Sequence, residues 1–262
     1  MKRIRLSALT RADEAAAVRE ATRLLAGGAS PERRAFLQRS LTLGGLALLG
    51  GCSVGDGYGV ESALAGISRF NDRVQGWLFD PTRLAPTYPD SMITRPFPFN
   101  AYYGEDEIPQ IDGDDWRLEV GGLVADRRRW TLAQLRALPQ VEHTTRHICV
   151  EGWSAIGKWG GVPFVRFLQR VGADLSAKYV GFKCADDYYS SIDMASALHP
   201  QTILVLTYDG QMLPPKYGYP LKLRVPTKLG YKNPKHIQAI FVTNTYPGGY
   251  WEDQGYNWFG GS

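Results

Sequence analysis

Residues 146–154 read RHICVEGWS, and residues 158–164 read KWGGVPF. Cys149 stands two residues after a histidine and three after an arginine, and a Gly-Trp-Ser sequence follows shortly after it. Glycine favours tight turns because it adopts backbone conformations that other residues avoid. The stretch therefore predicts a loop that holds one sulfur beside a bulky group.

The composition is that of a folded globular protein. The chain has 262 residues, of which 44% are hydrophobic and 12% aromatic, enough for one large domain with a short appendage. The net charge of +4 is small and the basic residues are mostly interspersed with acidic ones, so no nucleic-acid partner is expected. Three cysteines, Cys52, Cys149 and Cys184, are too few for a disulfide scaffold, and no CxxC pair suggests structural zinc.

Residues 1–52 carry the features of an export signal. Arg33 and Arg34 begin an Arg-Arg-Ala-Phe-Leu sequence of the twin-arginine type, and an apolar run from Leu41 to Gly51 follows. That run is much shorter than the roughly 20 residues that a membrane-spanning helix needs, so a removable signal and a periplasmic location are expected. Leu-Gly-Gly before Cys52 resembles a lipobox. Lipidation of Cys52 and simple cleavage remain alternatives.

The remainder divides into an N-terminal arm, residues 53–94, and a main domain, residues 95–262. A helix is predicted near residues 63–77 of the arm. In the domain, Thr131 predicts the start of one short helix, and Pro163 and Gly172 delimit another. Strands are predicted at residues 116–120, 141–150, 179–184, 202–208, 221–225 and 237–245, with Asp209-Gly210 as a hairpin turn. Short helices among strands of this kind predict an α+β fold with a mixed sheet.

Four interpretations of Cys149 are open from the residues alone. Zinc shared by His143 and His147 is disfavoured, because β-branched neighbours predict a strand in which four residues span about 13 Å. A Cys149 nucleophile with His147 as base lacks an evident orienting group. Cys149 is otherwise a buried thiol or pairs with Cys184 in a disulfide. The fourth interpretation is a thiolate that ligates a transition metal whose other ligands come from a bound cofactor.

Residues 146–154 resemble the molybdenum-ligating loop of the sulfite oxidase family, in which an arginine shortly precedes a cysteine followed by a Gly/Ala-Trp-Ser turn. Further landmarks are similar, in the same order, to those of the bacterial periplasmic protein-methionine-sulfoxide reductase catalytic subunits within that family. They are Asn100, Tyr103, His199-Pro200, Leu213-Pro214-Pro215, residues 220–226 and residues 228–235. The resemblance covers roughly residues 95–246.

This resemblance implies a sulfite oxidase-type molybdopterin-binding fold with mixed sheets, a molybdenum–molybdopterin cofactor, and Cys149 as the metal ligand. Arg146 and His147 would flank the sulfur and meet the substrate, or Arg146 would brace the pterin. On a strand, Lys222 and Arg224 would share a face and point at an anion such as the pterin phosphate. The implied cofactor-binding residues are Asn100, Tyr103, Cys149, Cys184, Tyr217, Lys222, Arg224, Asn233, Pro234 and Lys235.

Four positions depart from the reductase pattern: Gly104, Cys184, Tyr217 and Lys222 stand where that pattern has Glu, Thr, Asn and Arg. They leave the substrate open. The expected function is an exported oxidoreductase that takes oxygen from a small-molecule or protein S-oxide, with electrons from a membrane haem subunit. The alternatives are a sulfite-oxidising dehydrogenase and a metal-free binding lipoprotein with the same fold. The chain's end at Ser262, without the immunoglobulin-like domain usual in sulfite oxidases, favours the reductase.

Overall fold

A computed structural model describes residues 57–262. The predicted export signal, with Arg33, Arg34 and Cys52, lies outside these residues. The chain divides into two compact units, residues 1–63 and 64–262. Of the first, the structure describes only residues 57–63, which begin helix α1 (Gly57–Leu78). Within residues 57–262, no helix has the length and apolarity needed to cross a membrane.

Local sequence signals account for the short helices. Thr131 Oγ1 accepts a hydrogen bond from Gln134 N at 3.1 Å, and Gln134 Oε1 accepts one from Thr131 N at 2.9 Å, which forms a capping box. Pro163 directly precedes the next helix, and Gly172 follows its end with φ +62°. These two helices are α2 (Leu132–Arg136) and α3 (Phe164–Arg170). A further short helix, α4, spans Met194–Leu198.

Two five-stranded sheets make up the body of the unit formed by residues 64–262. In the first, with strand order β2-β1-β10-β5-β6, β1 and β10 are parallel and the other pairs antiparallel. In the second, β3, β4, β7 and β8 follow one another and β9 pairs with β7, all antiparallel. The strands are β1 (Arg117–Gly122), β2 (Trp130–Thr131), β3 (Val141–Ile148), β4 (Ser154–Pro163), β5 (Tyr179–Cys184), β6 (Tyr189–Asp193), β7 (Ile203–Tyr208), β8 (Gln211–Met212), β9 (Lys222–Arg224) and β10 (Ile237–Thr243). The predicted α+β class with a mixed sheet is confirmed.

The main difference from the sequence prediction is β4. The residues after Cys149 were expected to continue as a loop, whereas Ser154–Pro163 pair with β3 on one side and β7 on the other. Glycines at positions 157, 160 and 161 weaken the strand signal in the sequence. The structure uses one of them for close approach, since a Cβ on Gly161 would collide with the backbone of Leu204 and Val205.

Residues 64–94 of the predicted arm pack against the predicted domain. Phe259 N donates to Asp72 Oδ1 at 2.7 Å, Ala85 N donates to Gln201 Oε1 at 2.8 Å, and Thr94 N donates to Ile156 O at 2.9 Å. Residues 64–94 therefore share one compact unit with the domain. The boundary between residues 94 and 95 stays a prediction.

Candidate cofactor-binding site

Cys149 lies at the start of the turn that joins β3 to β4. The last strand pair is Ile148 with Ser154, and the turn closes through hydrogen bonds from Cys149 N to Trp153 O at 2.9 Å and from Gly152 N to Cys149 O at 3.2 Å. Gly152 has φ +92°, which favours glycine. The Cys149 side chain is 6% exposed and its burial raises the pKa of the thiol. The turn thus holds one sulfur at a fixed place at the end of a hairpin.

The sulfur borders a small cavity of about 80 Å³, room for only part of a large ligand. The lining combines the turn, the segment after residue 99, the loop between β5 and β6, and the loop before β10. Of the predicted cofactor-binding residues, those that border this cavity are Asn100, Tyr103, Cys149, Lys222, Asn233, Pro234 and Lys235. Residues from distant stretches of the sequence therefore meet around one thiol.

Two lysines, Lys222 and Lys235, border the cavity together with the carboxylates of Glu151 and Asp186. Lys235 Nζ is buried without a hydrogen-bond partner, and burial lowers the pKa of Lys235 to about 8. Lys222, 5% exposed, donates from Nζ to Asn233 O at 3.1 Å, and burial lowers its pKa well below the ordinary value. Buried cations without carboxylate partners are costly. The donors present therefore suit an anionic ligand, which is the charge that a molybdopterin phosphate would bring.

Arg224 does not contact the cavity. Its guanidinium is fully buried and donates to Asn233 Oδ1 at 3.0 Å and to Arg146 O at 2.7 Å. Asn233 Oδ1 also accepts a hydrogen bond from Val225 N at 2.8 Å. The expectation that Lys222 and Arg224 point together at an anion is therefore corrected. Lys222 reaches the cavity, whereas Arg224 ties the strand before Cys149 to the loop that carries Asn233.

His147 is buried behind the cavity rather than open to it. Its Nε2 lies 3.0 Å from Asn100 Nδ2, its Nδ1 has no partner, and burial lowers its pKa well below the ordinary value. A Cβ on Gly230 would lie 2.7 Å from the same Nε2, so glycine is needed for this close packing. His147 can therefore position Asn100, but it does not border the cavity beside Cys149.

Arg146 lies on the other side of β3. Its side chain is exposed and borders a separate groove of about 590 Å³, together with Ile148, Tyr88 and Arg83. Successive strand residues point to opposite faces, so an arginine three positions before the cysteine turns away from it. The expected placement of Arg146 beside the sulfur is wrong, and its backbone carbonyl, rather than its side chain, connects it to the site.

Two further predicted cofactor-binding residues lie at the edge of the site. Cys184, 7% exposed, ends β5, and burial raises the pKa of its thiol well above the ordinary value. Tyr217 donates its hydroxyl to Phe97 O at 2.9 Å and, with Asn100 and Lys222, borders a second pocket of about 10 Å³. Cys149 and Cys184 are both free thiols, so the structure contains no disulfide between them.

Glu151 lies beside the sulfur and was not among the residues predicted from the sequence. Its Oε2 lies 3.7 Å from Cys149 Sγ and accepts a hydrogen bond from Trp153 Nε1 at 3.0 Å. Trp153 thus holds the Glu151 carboxylate beside the Cys149 thiol within the same turn. Its place two residues after the cysteine was the signal available in the sequence.

An aromatic wall borders the cavity, and of its residues only Tyr103 was predicted from the sequence. Tyr103 donates to Asp186 Oδ2 at 2.9 Å and Tyr188 donates to Tyr231 O at 2.6 Å, while Tyr102 stacks on Tyr250 with 4.7 Å between ring centroids. Burial raises the pKa of Tyr103 and that of Tyr102, the latter to about 12, which keeps these phenols protonated. The wall residues that border the cavity are Tyr102, Tyr103, Tyr188, Tyr231 and Trp251. Their spacing along the chain gave no local signal.

Within residues 57–262, no group of three or more histidine, cysteine, aspartate or glutamate side chains is arranged to hold a metal ion. A metal at Cys149 would therefore draw its other ligands from outside these protein groups.

Comparisons with known proteins agree with this description. Residues 105–251 match the family model of the oxidoreductase molybdopterin-binding domain. A protein of Azospira oryzae with the provisional name protein-methionine-sulfoxide reductase subunit YedZ1 is 75% identical over 232 residues, 88% of each chain. The protein-methionine-sulfoxide reductase catalytic subunit MsrP of Burkholderia mallei is 32% identical over 161 residues, which cover 55% of this chain and 49% of that protein.

The fold also occurs in a solved structure. The sulfane dehydrogenase SoxCD from Paracoccus pantotrophus matches with a TM-score of 0.50 and 20% identity, over 53% of this chain and 40% of that chain. At this identity the likeness concerns the fold alone. The family model, the Azospira oryzae relative that aligns over 88% of each chain, and the cavity beside Cys149 are consistent with one another. The chain belongs to the sulfite oxidase-type oxidoreductases with a molybdopterin-binding domain.

Proposed function

We propose that the chain reduces S-oxides at a molybdenum–molybdopterin cofactor to which Cys149 contributes the protein's ligand. The observation that carries this proposal is the buried Cys149 thiol beside a cavity that also contains the unpartnered ammonium of Lys235. The names of the Azospira oryzae and Burkholderia mallei relatives support methionine sulfoxide as the substrate class.

Each residue of the site has a defined task in this proposal. Lys222 and Lys235 bind the anionic end of the pterin, and Asn233 holds Lys222 through its carbonyl. Asn100, placed by His147, and Tyr103, placed by Asp186, orient the ring system. Cys184, Tyr217 and Arg224 support this lining from behind, and Pro234 shapes it.

When bound, the cofactor supplies oxygen-atom transfer coupled to two-electron redox chemistry. The balanced reaction takes one S-oxide, two electrons and two protons to one thioether and one water. The open side of the cavity, beside Glu151 and the 46%-exposed Val150, is where the sulfoxide enters. The two electrons come from a haem-bearing membrane subunit.

Metal content and activity test the ligand assignment. We expect Cys149→Ser made in a molybdopterin-competent host to lose molybdenum or its activity, because a hydroxyl is a poor ligand for a soft metal site. Met212→Ser, at an exposed residue that does not border the cavity, is the control and should retain the metal. Unchanged molybdenum and activity in Cys149→Ser would disprove the assignment.

The direction of the reaction is tested with two assays on the purified protein. Reduced viologen with methionine sulfoxide should give turnover, and ferricyanide with sulfite should not. Turnover only with sulfite would replace the proposed reaction by sulfite oxidation.

The location is part of the same proposal: the twin-arginine segment exports the protein to the periplasm. Arg33→Lys with Arg34→Lys should retain the protein in the cytoplasm in cell fractionation. Periplasmic protein in that variant would contradict this route.

A further inference from the structure

Helix α1 has two opposite faces. Asp72 and Gln75 face the body of the protein, where they accept hydrogen bonds from Phe259 N at 2.7 Å and Gly261 N at 3.2 Å. Phe79, directly after the helix, packs on Phe259 with 5.7 Å between ring centroids. Since each helical residue turns about 100°, these contacts define one side of the helix.

The opposite side is apolar. Ile67, Phe70, Trp77 and Leu78 are 57%, 63%, 82% and 66% exposed. With half-buried Val74 they lie within about 100° of arc centred opposite Asp72 and Gln75. We call Ile67, Phe70, Val74, Trp77 and Leu78 the apolar stripe. A continuous apolar surface opposite the packed side marks an interaction site.

Cations adjoin the apolar stripe. Arg69 and Arg73 are exposed and, four residues apart, lie one above the other along one edge of it. The nearby acids are engaged elsewhere, since Asp72 binds Phe259 N and Asp80 accepts two hydrogen bonds from Thr82. The surface therefore combines aromatic and aliphatic side chains with neighbouring positive charge.

We propose that the apolar stripe is a membrane-surface site, which lies in the headgroup region of an anionic bilayer while Arg69 and Arg73 contact lipid phosphates. Tryptophan and phenylalanine with flanking arginines suit that region, because its inner side is apolar and its outer side is hydrated. This proposal does not depend on the reaction that the enzyme catalyses.

The position of helix α1 in the sequence favours a bilayer, rather than another protein, as the partner that the apolar stripe binds. Helix α1 begins at Gly57, directly after the predicted export signal ends at Cys52. The intervening residues reach at most about 18 Å when fully extended. A lipid on Cys52, one of the two alternatives for that residue, would hold α1 beside the membrane. The apolar stripe would then add a second contact with the bilayer.

The groove beside Arg146 borders the same surface. Leu78 belongs to the apolar stripe and, with Leu84, also borders the groove that Arg146 and Ile148 line on the outer side of β3. Binding through the apolar stripe would therefore bring this groove close to the bilayer.

Vesicle binding of the cofactor-loaded full chain tests the proposal. All variants carry Cys52→Ser, so that no lipid is attached, and the vesicles contain phosphatidylcholine alone or with phosphatidylglycerol. Substituting Ile67, Phe70 and Trp77 by serine should lower the partition coefficient for anionic vesicles at least tenfold. The matched control, Leu123→Ser with Met212→Ser, removes apolar residues that are 41% and 61% exposed elsewhere and should change it less than twofold.

A second measurement places the helix itself at the lipid. Brominated lipids should quench part of the tryptophan fluorescence, and Trp77→Phe should remove that part while binding persists. Equal binding of the stripe variant and the control, or quenching that survives Trp77→Phe, would overturn the proposal. Loss of a dimer in the stripe variant without vesicle binding by the parent protein would also overturn it, in favour of a second copy of the chain.

Discussion

Cys149 owes its position to a five-residue turn in which Glu151, Gly152 and Trp153 have separate tasks. Trp153 closes the turn and holds the Glu151 carboxylate, Gly152 provides the left-handed backbone, and Glu151 lies against the sulfur. Lys235 borders the same cavity, and its ammonium has no hydrogen-bond partner, although it lies 4.7 Å from the centroid of the Phe99 ring. An anionic ligand would give this ammonium a counter-charge.

Lys235→Met should stabilise the cofactor-free protein and weaken cofactor retention. Removing an unpaired buried ammonium should raise the free energy of unfolding by about 1–3 kcal/mol at pH 7. Burial lowers the pKa of Lys235 in the folded protein to about 8. Between pH 8 and the ordinary pKa of lysine, the side chain is therefore protonated in the unfolded chain but mostly neutral in the folded protein. The advantage of the variant should therefore be largest below pH 8 and shrink as the pH rises to about 10.5.

Urea unfolding of cofactor-free protein and the pterin content of the purified enzyme are the two measurements. Lys183→Met, at an exposed lysine that does not border the cavity, serves as the control. A destabilised Lys235→Met variant that retains its pterin would contradict this account.

Strand β4 is the element that fixes the position of the Cys149 turn within the second sheet. It pairs with β3 over the whole length of that strand and also with β7, so the Cys149 turn is anchored to the centre of the second sheet. The register shift between Gly160 and Gly161 lies where β4 and β7 approach most closely. A side chain at this bulge has no space, whatever its polarity.

Gly161→Ala should cost about 3 kcal/mol of folding free energy, because a Cβ there would lie 2.9 Å from Val205 Cα and nearer still to the Leu204 backbone. Gly121→Ala is the matched control in another strand, where a Cβ would meet nothing within 4 Å, and should change stability by less than about 1 kcal/mol. Denaturant unfolding measures both, and equal effects would refute the role of close packing at Gly161.

At the scale of the whole molecule, buried ion pairs attach the C-terminal segment to the site. Lys232, fully buried, pairs with Glu252, which is itself almost inaccessible, and donates to Ser191 O at 2.9 Å. Lys228 donates to Asp193 Oδ2 at 3.0 Å and to Phe259 O at 2.8 Å. The first pair joins the loop of Tyr231 to the segment of Trp251, and both of these residues border the cavity.

Glu252→Gln should cost about 3–5 kcal/mol, since it leaves the Lys232 ammonium buried without a counter-charge. The double variant Lys232→Met with Glu252→Leu should be more stable than Glu252→Gln alone, because no unpaired charge remains. A double-mutant cycle in urea measures the coupling. Additive losses would show that the pair does not act as a unit.

The amino-acid sequence by itself determined the α+β class, the approximate boundaries of six strands and the capped helices, because these depend on local periodicity and on capping residues. Cys149 was singled out by the resemblance of residues 146–154 to a known metal-ligating loop. Only the tertiary structure decided that Arg146 faces away from the sulfur, that Arg224 braces β3, and that Glu151 and the aromatic wall surround the cavity. Hydrogen bonds and packing between residues far apart in sequence set those positions, and no local pattern encodes them.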